Sequence, residues 1–405
     1  MWWRSLKDSR YRQRWFERLA FYPKEKFSLN KPVIVFHAVS VGELHAAVPL
    51  IRACRVLLPE WTFTLTTTTV TGSARVKAIF GDSVQHCYMP YDTPGSIKRF
   101  LKKVNPRILV ILETELWPNL LFYSEQQDCR LLLLNARLSE KSFLNYRKHA
   151  KLTLNMLSSF DSVAAQFEQD AEHFRQLGLP EEALHVTGTM KFDQEINQEQ
   201  YQAGGAMKQE LQRPIFVAGS TREGEEEKVL LAFKALLKTL PELLLILVPR
   251  HPDRFDEVAK LLNRLDYSYV LRSGGERVSS DKQILLGDSL GEMQFYYASA
   301  DVAFVGGSLV DTGCQNIIEP AALGLPVVTG PSLFNFQAVS ELMLESGAML
   351  VVADANELAE KVLLLLQDKV LRQSMADAAS ATVKSNRGAI EKQKQLILQA
   401  IHLDQ

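Results

Sequence analysis

Apolar residues in this chain come in short unbroken runs. Val33-Ile34-Val35-Phe36, Ile108 to Leu112 and Leu131 to Leu134 are too short for helices and rich in β-formers, so they read as strands. Phe63-Thr64-Leu65-Thr66 and Ser162 to Ala165 repeat the theme. Between them lie amphipathic stretches, the first with Leu44, Ala47, Val48, Ile51 and Leu58 on one face. Continuous apolar strands alternating with helices predict an α/β fold, a parallel sheet covered on both sides.

Around Asp193 to Arg213 the pattern lapses into Gln194, Glu195, Asn197, Gln198, Glu199, Gln200 and Gln202, with Gly204-Gly205 in the middle, which reads as a linker. The alternation then restarts with Ile215 to Ala218, Leu243 to Val248, Ile284 to Leu286, Val302 to Val305, Val327-Val328 and Leu350 to Val352. Two doubly wound halves of similar size predict a bilobal enzyme, with ligands bound in a cleft beyond the carboxyl ends of the strands. A length of 405 residues, at about 150 per domain, agrees with more than one core.

Composition removes several classes. Lys+Arg is 46 and Asp+Glu 47, too balanced for a dedicated nucleic-acid binder. Cys54, Cys87, Cys129 and Cys314 are scattered, which favours neither a zinc site nor a disulfide framework and makes a reducing cytosol the default. No run of 18 apolar residues and no secretory signal is present. The start is unusual: Arg4, Lys7, Arg10, Arg12 and Arg14 face a single Asp8, interleaved with Trp2, Trp3, Tyr11, Trp15, Phe16, Phe21 and Tyr22. Residues 1–30 therefore read either as a basic aromatic membrane-proximal segment or as a surface helix packed on the domain behind it. A longer form would carry a hydrophobic anchor ahead of this start.

The strand-end loops hold the unusual residues. His37-Ala38-Val39-Ser40-Val41-Gly42-Glu43 places a carboxylate where a cleft base belongs, yet Ser40-x-x-Glu43 is equally a capping box. Glu113 and Glu115 follow an apolar strand directly, and acids there are costly in a core; a solvated loop is the alternative. Lys191 lies just before the polar stretch, where a surface lysine is the plain reading. In the second half, Ser220-x-x-Glu223 looks like another helix start, suited to a cap or an anion. Pro249-Arg250-His251-Pro252 pins a cation at a strand end, and Leu290-Gly291-Glu292 opens a further helix. Gly306-Gly307 permits close backbone approach ahead of Asn316-Ile317-Ile318-Glu319. A helix starting near Asn316 would turn N–H groups to a phosphate, and Glu319 could accept from ribose hydroxyls. There is no GxGxxG, P-loop, GxSxG, HExxH or Asp-x-Asp, so neither a dehydrogenase, an NTPase, a serine hydrolase nor a metal site is indicated, and no cofactor is expected.

Together HAVSVGE, ETELWPN, NARLS, GTMKFD, LVPRHP and FVGGSLV followed by NIIEPAA resemble the 3-deoxy-D-manno-octulosonic acid (Kdo) transferases of lipopolysaccharide assembly, in the same order from Tyr11 onward. The resemblance implies a GT-B glycosyltransferase of two Rossmann-like lobes: residues 31–193 for the acceptor, 194–213 as linker, 214–371 for CMP-Kdo, and 372–405 as a helix crossing back to the first lobe. It implies metal-independent, inverting transfer of Kdo from CMP-Kdo to lipid IV-A at the cytoplasmic side of the inner membrane. The family's general base falls on Glu43, and its transition-state stabilisers on Glu113 and Lys191. Its CMP contacts fall on Pro249 and Arg250, on Leu290, Gly291 and Glu292, and on Asn316, Ile317, Ile318 and Glu319. Ser220 is a further candidate, for the sugar carboxylate, on physical grounds. Two departures stand out. Many relatives read Gly-His-Asn-Pro where this chain has Cys314-Gln315-Asn316-Ile317, and many begin with a hydrophobic anchoring helix. A GT-B enzyme using UDP or GDP, and a non-catalytic nucleotide-binding scaffold on membranes, are the competing readings.

Overall fold

The computed structural model describes residues 14–23, 25–28 and 30–402. The chain divides into two compact units, one of the residues up to Asp193 together with those from Arg387 on, the other of Gln194–Asn386.

In the first unit seven strands, β1 (Val33–His37), β2 (Thr62–Thr67), β3 (Gln85–Tyr88), β4 (Pro106–Leu112), β5 (Arg130–Ala136), β6 (Ser162–Ala165) and β7 (Leu184–Val186), form one parallel sheet in the order β3-β2-β1-β4-β5-β6-β7. Successive residues of β1, β4 and β5 enter opposite cores: Val33, Val35, Leu109, Ile111, Leu131 and Leu133 face one, Ile34, Phe36, Ile108, Val110, Leu132 and Leu134 the other. Burial on both sides is why these strands are apolar throughout. The helix Val41–Leu57 covers the second face with Leu44, Ala47 and Ile51, and the C-terminal helix Ala389–His402 adds Leu396, Ile397 and Ile401.

The second unit repeats the plan with β8 (Ile215–Thr221), β9 (Leu244–Pro249), β10 (Tyr269–Leu271), β11 (Ile284–Leu286), β12 (Val302–Val305), β13 (Val327–Thr329) and β14 (Met349–Val351), all parallel, in the order β10-β11-β9-β8-β12-β13-β14. The order reverses between β1 and β4 and between β8 and β12, and crevices at such switch points take ligands.

Two expected boundaries are corrected. The polar stretch read as a linker over 194–213 contains a helix, Gln198–Leu211, within the second unit. Its glycine pair is no break: a Cβ at Gly204 would stand 2.4 Å from the Phe295 carbonyl oxygen and 2.7 Å from Ala298 Cβ. Glycine is needed because this helix lies directly on the helix Met293–Ala298. Its polarity serves that contact, with Gln200 Nε2 donating to the Gly291 carbonyl and Lys208 pairing with Asp301 at 2.9 Å. The segment expected as one piece over 372–405 divides at Arg387. Helix Lys369–Ser385 stays with the second unit, and only Ala389–His402 belongs to the first.

Of the basic aromatic start, Trp2, Trp3, Arg4, Lys7, Arg10, Tyr11 and Arg12 lie outside the described residues. Arg14 lies within them and is bound into the fold. It pairs with Glu17 at 2.6 Å, and its guanidinium and that of Arg18 lie 4.6 and 4.3 Å from the Tyr88 ring centre. Glu17 in turn accepts from the Tyr88 N–H. Arg14, Glu17 and Arg18 thus pack on the first unit, while Phe16 and Phe21 are exposed. No helix among the described residues is long and apolar enough to cross a membrane.

Candidate functional site

The first group of candidates lies at the carboxyl edge of the first sheet. β1 ends on His37, fully buried, its Nδ1 3.0 Å from Thr66 Oγ1; burial pushes its pKa down to about 4, so it is neutral. The chain then turns through Ser40, whose hydroxyl accepts from Glu43 N as the N-cap of Val41–Leu57. The Glu43 carboxylate returns to accept from Val39 N at 2.7 Å and Ser40 N at 3.1 Å. The capping box is therefore real, but it does not account for all of Glu43. Burial, reinforced by the charges of Glu113 and more weakly Glu115, raises the carboxyl to about 7 against the pull of the Ser40 and Val39 hydrogen bonds. A carboxyl near 7 is matched to proton abstraction at neutral pH, and the capping geometry leaves that chemistry open to Glu43.

Glu113 follows β4 with φ 59°, in the left-handed region unusual for a side chain of its size, while its N–H continues the ladder to the Leu134 carbonyl at 3.1 Å. Its charge is felt at Glu43, so the structure brings these two candidates together. Glu115 is occupied differently, accepting from Trp117 Nε1 at 2.8 Å.

Lys191 occupies a 3-10 turn, Met190–Asp193, after β7 on the same edge. A residue without an assigned role holds this turn. Asn135, buried at the end of β5 with φ 53°, accepts from Met190 N at 3.1 Å and donates its own N–H to Gln393 Oε1 of the C-terminal helix. Asp193 caps that helix, accepting from Gly388 N at 2.6 Å and Ile390 N at 2.7 Å.

The second group lies at the carboxyl edge of the second sheet. β9 ends at buried Pro249, and Arg250 N donates to the Thr221 carbonyl at 3.0 Å, which presents the exposed Arg250 side chain beside β8. Arg250 Nε donates to Gln315 Oε1 at 3.3 Å, so Gln315 steadies the arginine. Glu319 lies close to both Arg250 and Gln294. Burial raises its carboxyl to about 7, offset in part by a hydrogen bond with Gln294 and by the Arg250 charge. Leu290 is exposed and Gly291 has φ 83°, whereas the Glu292 carboxylate is engaged by Arg272 at 2.8 Å and by Ser289.

Several expectations for this edge change. Ser220 does not begin a helix: it lies within β8 at φ 58°, and the helix starts at Glu226. Ile317 and Ile318 are fully buried, leaving only their backbone to a ligand. Asn316 spends its Oδ1 on Ile318 N and its Nδ2 on Gln194. The N–H groups after Gly306 are not free for a phosphate, because Gly307, Ser308 and Leu309 donate to the fully buried Glu225 at 2.6, 3.1 and 2.8 Å. Gly306 itself is obligatory, since a Cβ there would lie 2.6 Å from Ser220 O and 2.7 Å from Glu225 Oε2. In sequence Glu225 is one acid of a GEEE run and gives no sign of this role.

Two parallel seven-stranded α/β units, with chemistry-bearing side chains at the carboxyl edge of each sheet, define a GT-B glycosyltransferase fold. The Anabaena protein HepE, solved in complex with UDP, has this fold: TM-score 0.59 at 14% identity, covering 92% of this chain and 99% of that one. The model for the 3-deoxy-D-manno-octulosonic-acid transferase (kdotransferase) family matches residues 13–194. The 3-deoxy-D-manno-octulosonic acid transferase of Haemophilus influenzae is 40% identical over 391 residues, 96% of this chain and 91% of that protein. The enzyme of the same name from Bordetella pertussis is 39% identical over 373 residues, 90% of this chain and 86% of its own. The chain belongs to the Kdo transferase family.

Proposed function

We propose that the protein transfers Kdo from CMP-Kdo to the 6′-hydroxyl of lipid IV-A, inverting the anomeric centre, releasing CMP and using no metal ion. The observation that carries this reading is the Glu43 carboxyl, held near neutrality beside Glu113 in a member of this family. Glu43 takes the acceptor's hydroxyl proton while the oxygen bonds to Kdo C2 and the bond from C2 to the phosphate oxygen breaks. CMP departs with the electron pair, and its phosphate charge faces Arg250, the positioned cation of the second unit. Glu113 and Lys191 stabilise charge as it develops. The chemistry needs little beyond positioning and electrostatics, because CMP is already a good leaving group.

The test is turnover by purified protein of CMP-Kdo and lipid IV-A, followed by mass spectrometry. Products heavier by one or more Kdo units, formed equally well in EDTA, are expected; no product, or activity abolished by EDTA and restored by magnesium, would sink the corresponding part of the reading. Calorimetry should show CMP binding better than UDP. Arg250→Ala should weaken CMP binding by about 1.5–3 kcal/mol, the range for a hydrogen bond to a charged group.

The reading includes residence at the cytoplasmic face of the inner membrane, where a lipid acceptor is accessible. Neutralising Arg4, Lys7, Arg10 and Arg12 should weaken partitioning to anionic liposomes by roughly 1 kcal/mol per charge. Arg14 is left in place because it is spoken for by Glu17 and Tyr88. Unchanged partitioning would make the start of the chain a structural element only.

A further inference from the structure

Two guanidinium groups stand together at the carboxyl ends of β8 and β9. Arg250 is one; Arg222, to which no role has been given so far, is the other, and each lies within the other's electrostatic reach. Neither makes an ion pair among the described residues. Arg222 is also built in. Its backbone N–H donates to Glu225 Oε2 at 3.1 Å, and its Nη1 meets His251 Nε2. That contact requires the imidazole nitrogen to accept, so His251 is neutral and acts as a clamp. Arg222 Nε is buried with no hydrogen-bond partner. The acids nearby are otherwise occupied: Glu225 by four backbone N–H groups, Glu226 by Arg254 and Thr221. Burial and the Arg250 charge make the Arg222 cation costly, the Glu225 charge offsets part of that cost, and a bound anion would relieve the rest.

The donor proposed above carries two anions in fixed proximity, and the inference rests on that reading. In a CMP-linked 2-ulosonic acid the carbon bonded to the phosphate oxygen also bears the carboxylate. Arg250 lies within electrostatic reach of Glu319, on the segment expected to meet the ribose, and Arg222 lies within electrostatic reach of Arg250. We propose that Arg222, oriented by His251, binds the carboxylate of the donor sugar, leaving the phosphate to Arg250. A planar fork suits a carboxylate held by two parallel hydrogen bonds.

CMP has the phosphate and lacks the carboxylate, so it separates the two roles. Arg222→Ala should raise KM for CMP-Kdo by at least about tenfold, as expected for loss of a charge-assisted bond, while the inhibition constant of CMP moves less than about threefold. Arg222→Lys should fall between, because an ammonium keeps the charge without the fork. His251→Gln should move KM in the same direction by a smaller factor. Arg250→Ala, in contrast, should weaken CMP and CMP-Kdo alike. If active wild-type protein yields Arg222 variants whose CMP and CMP-Kdo affinities fall together, or not at all, the assignment of the carboxylate is overturned while the donor stands. If the wild type fails to turn over CMP-Kdo, the donor reading falls and this one with it. Thermal unfolding of Arg222→Ala and Arg222→Lys identifies a variant that has lost its fold, and the Lys variant then carries the comparison.

Discussion

Glu43→Gln is expected to lower turnover by on the order of 100-fold or more, the contribution of a positioned base, while leaving CMP binding intact. The substitution is not neutral for the fold. Each oxygen of the carboxylate accepts one backbone N–H, from Val39 and from Ser40. An amide offers one oxygen and turns an NH2 toward the other donor, so one hydrogen bond is lost, at a cost of about 1 kcal/mol. That loss can be separated from catalysis by its pH dependence. The Glu43 carboxyl, raised from an ordinary 4.5 to about 7, binds its proton more tightly in the folded state than in the unfolded one. Its contribution to stability is therefore full below about 4.5 and is lost as pH rises through 7. Glutamine has no such transition, so the stability gap between the two proteins should narrow as pH rises from 4.5 to 7.5. Rate depends on the same proton in the opposite sense. In the wild type kcat/KM should climb through a limb near pH 7 as the base ionises, and the variant should lose that limb. A Glu43→Gln protein with near-normal turnover would reduce Glu43 to its capping role and leave Glu113 as the next acid to test.

Glu225→Ala should have the largest effect on stability. Four backbone N–H groups, of Arg222, Gly307, Ser308 and Leu309, converge on one carboxylate with no exposed surface. Alanine strands all four where Gly306 packs too closely for a side chain to enter. An unsatisfied buried donor costs about 1–3 kcal/mol, and partial rearrangement should bring the total to about 3–5 kcal/mol. In a unit of this size that is a fall in Tm of about 10 °C. CMP affinity should fall as well, because the loop after β12 loses its anchor. Glu225→Gln, retaining one acceptor oxygen, should lie between. An alanine variant within about 1 kcal/mol of wild type by urea unfolding would show that water replaces the carboxylate without loss.

The strands inside the sheets were legible in sequence, and so was one edge strand, Met349–Val351. The three that escaped, Gln85–Tyr88, Leu184–Val186 and Tyr269–Leu271, are all at sheet edges. An edge strand buries less, so Gln-His-Cys-Tyr and Leu-His-Val need no apolar run. Gly204-Gly205 misled because glycine marks both a chain break and a close helix crossing, and only the neighbouring backbone tells which. Of the candidates, Glu113 and Arg250 stood out in sequence as charged residues directly after strands, and Glu43 as an acid in the first turn of the helix after β1. Glu225 and Asn135 did not. Most of their partners are remote in sequence, Gly307, Ser308 and Leu309 for Glu225 and Met190 and Gln393 for Asn135, and no local side-chain pattern records those. Arg222 was hidden by an adjacent Ser220 that looked like a helix cap, until its left-handed backbone placed it in the strand.

The division of the chain has a consequence for synthesis. The second unit is one uninterrupted length, Gln194–Asn386, inserted within the first. On a ribosome it can complete itself as soon as it emerges, whereas the first unit, although begun earlier, must wait for the helix Ala389–His402. Until Leu396, Ile397 and Ile401 arrive, the apolar face around Leu44 and Ile51 stays uncovered and Asn135 lacks Gln393. The first unit thus stays unfinished until the second has been made, and a premature stop near residue 386 would yield one sound unit and one with an open core. The same topology offers a surgical opportunity. Asp193 and Gly388 are joined by a hydrogen bond, so a few residues could replace the insert and close the first unit as a chain of its own.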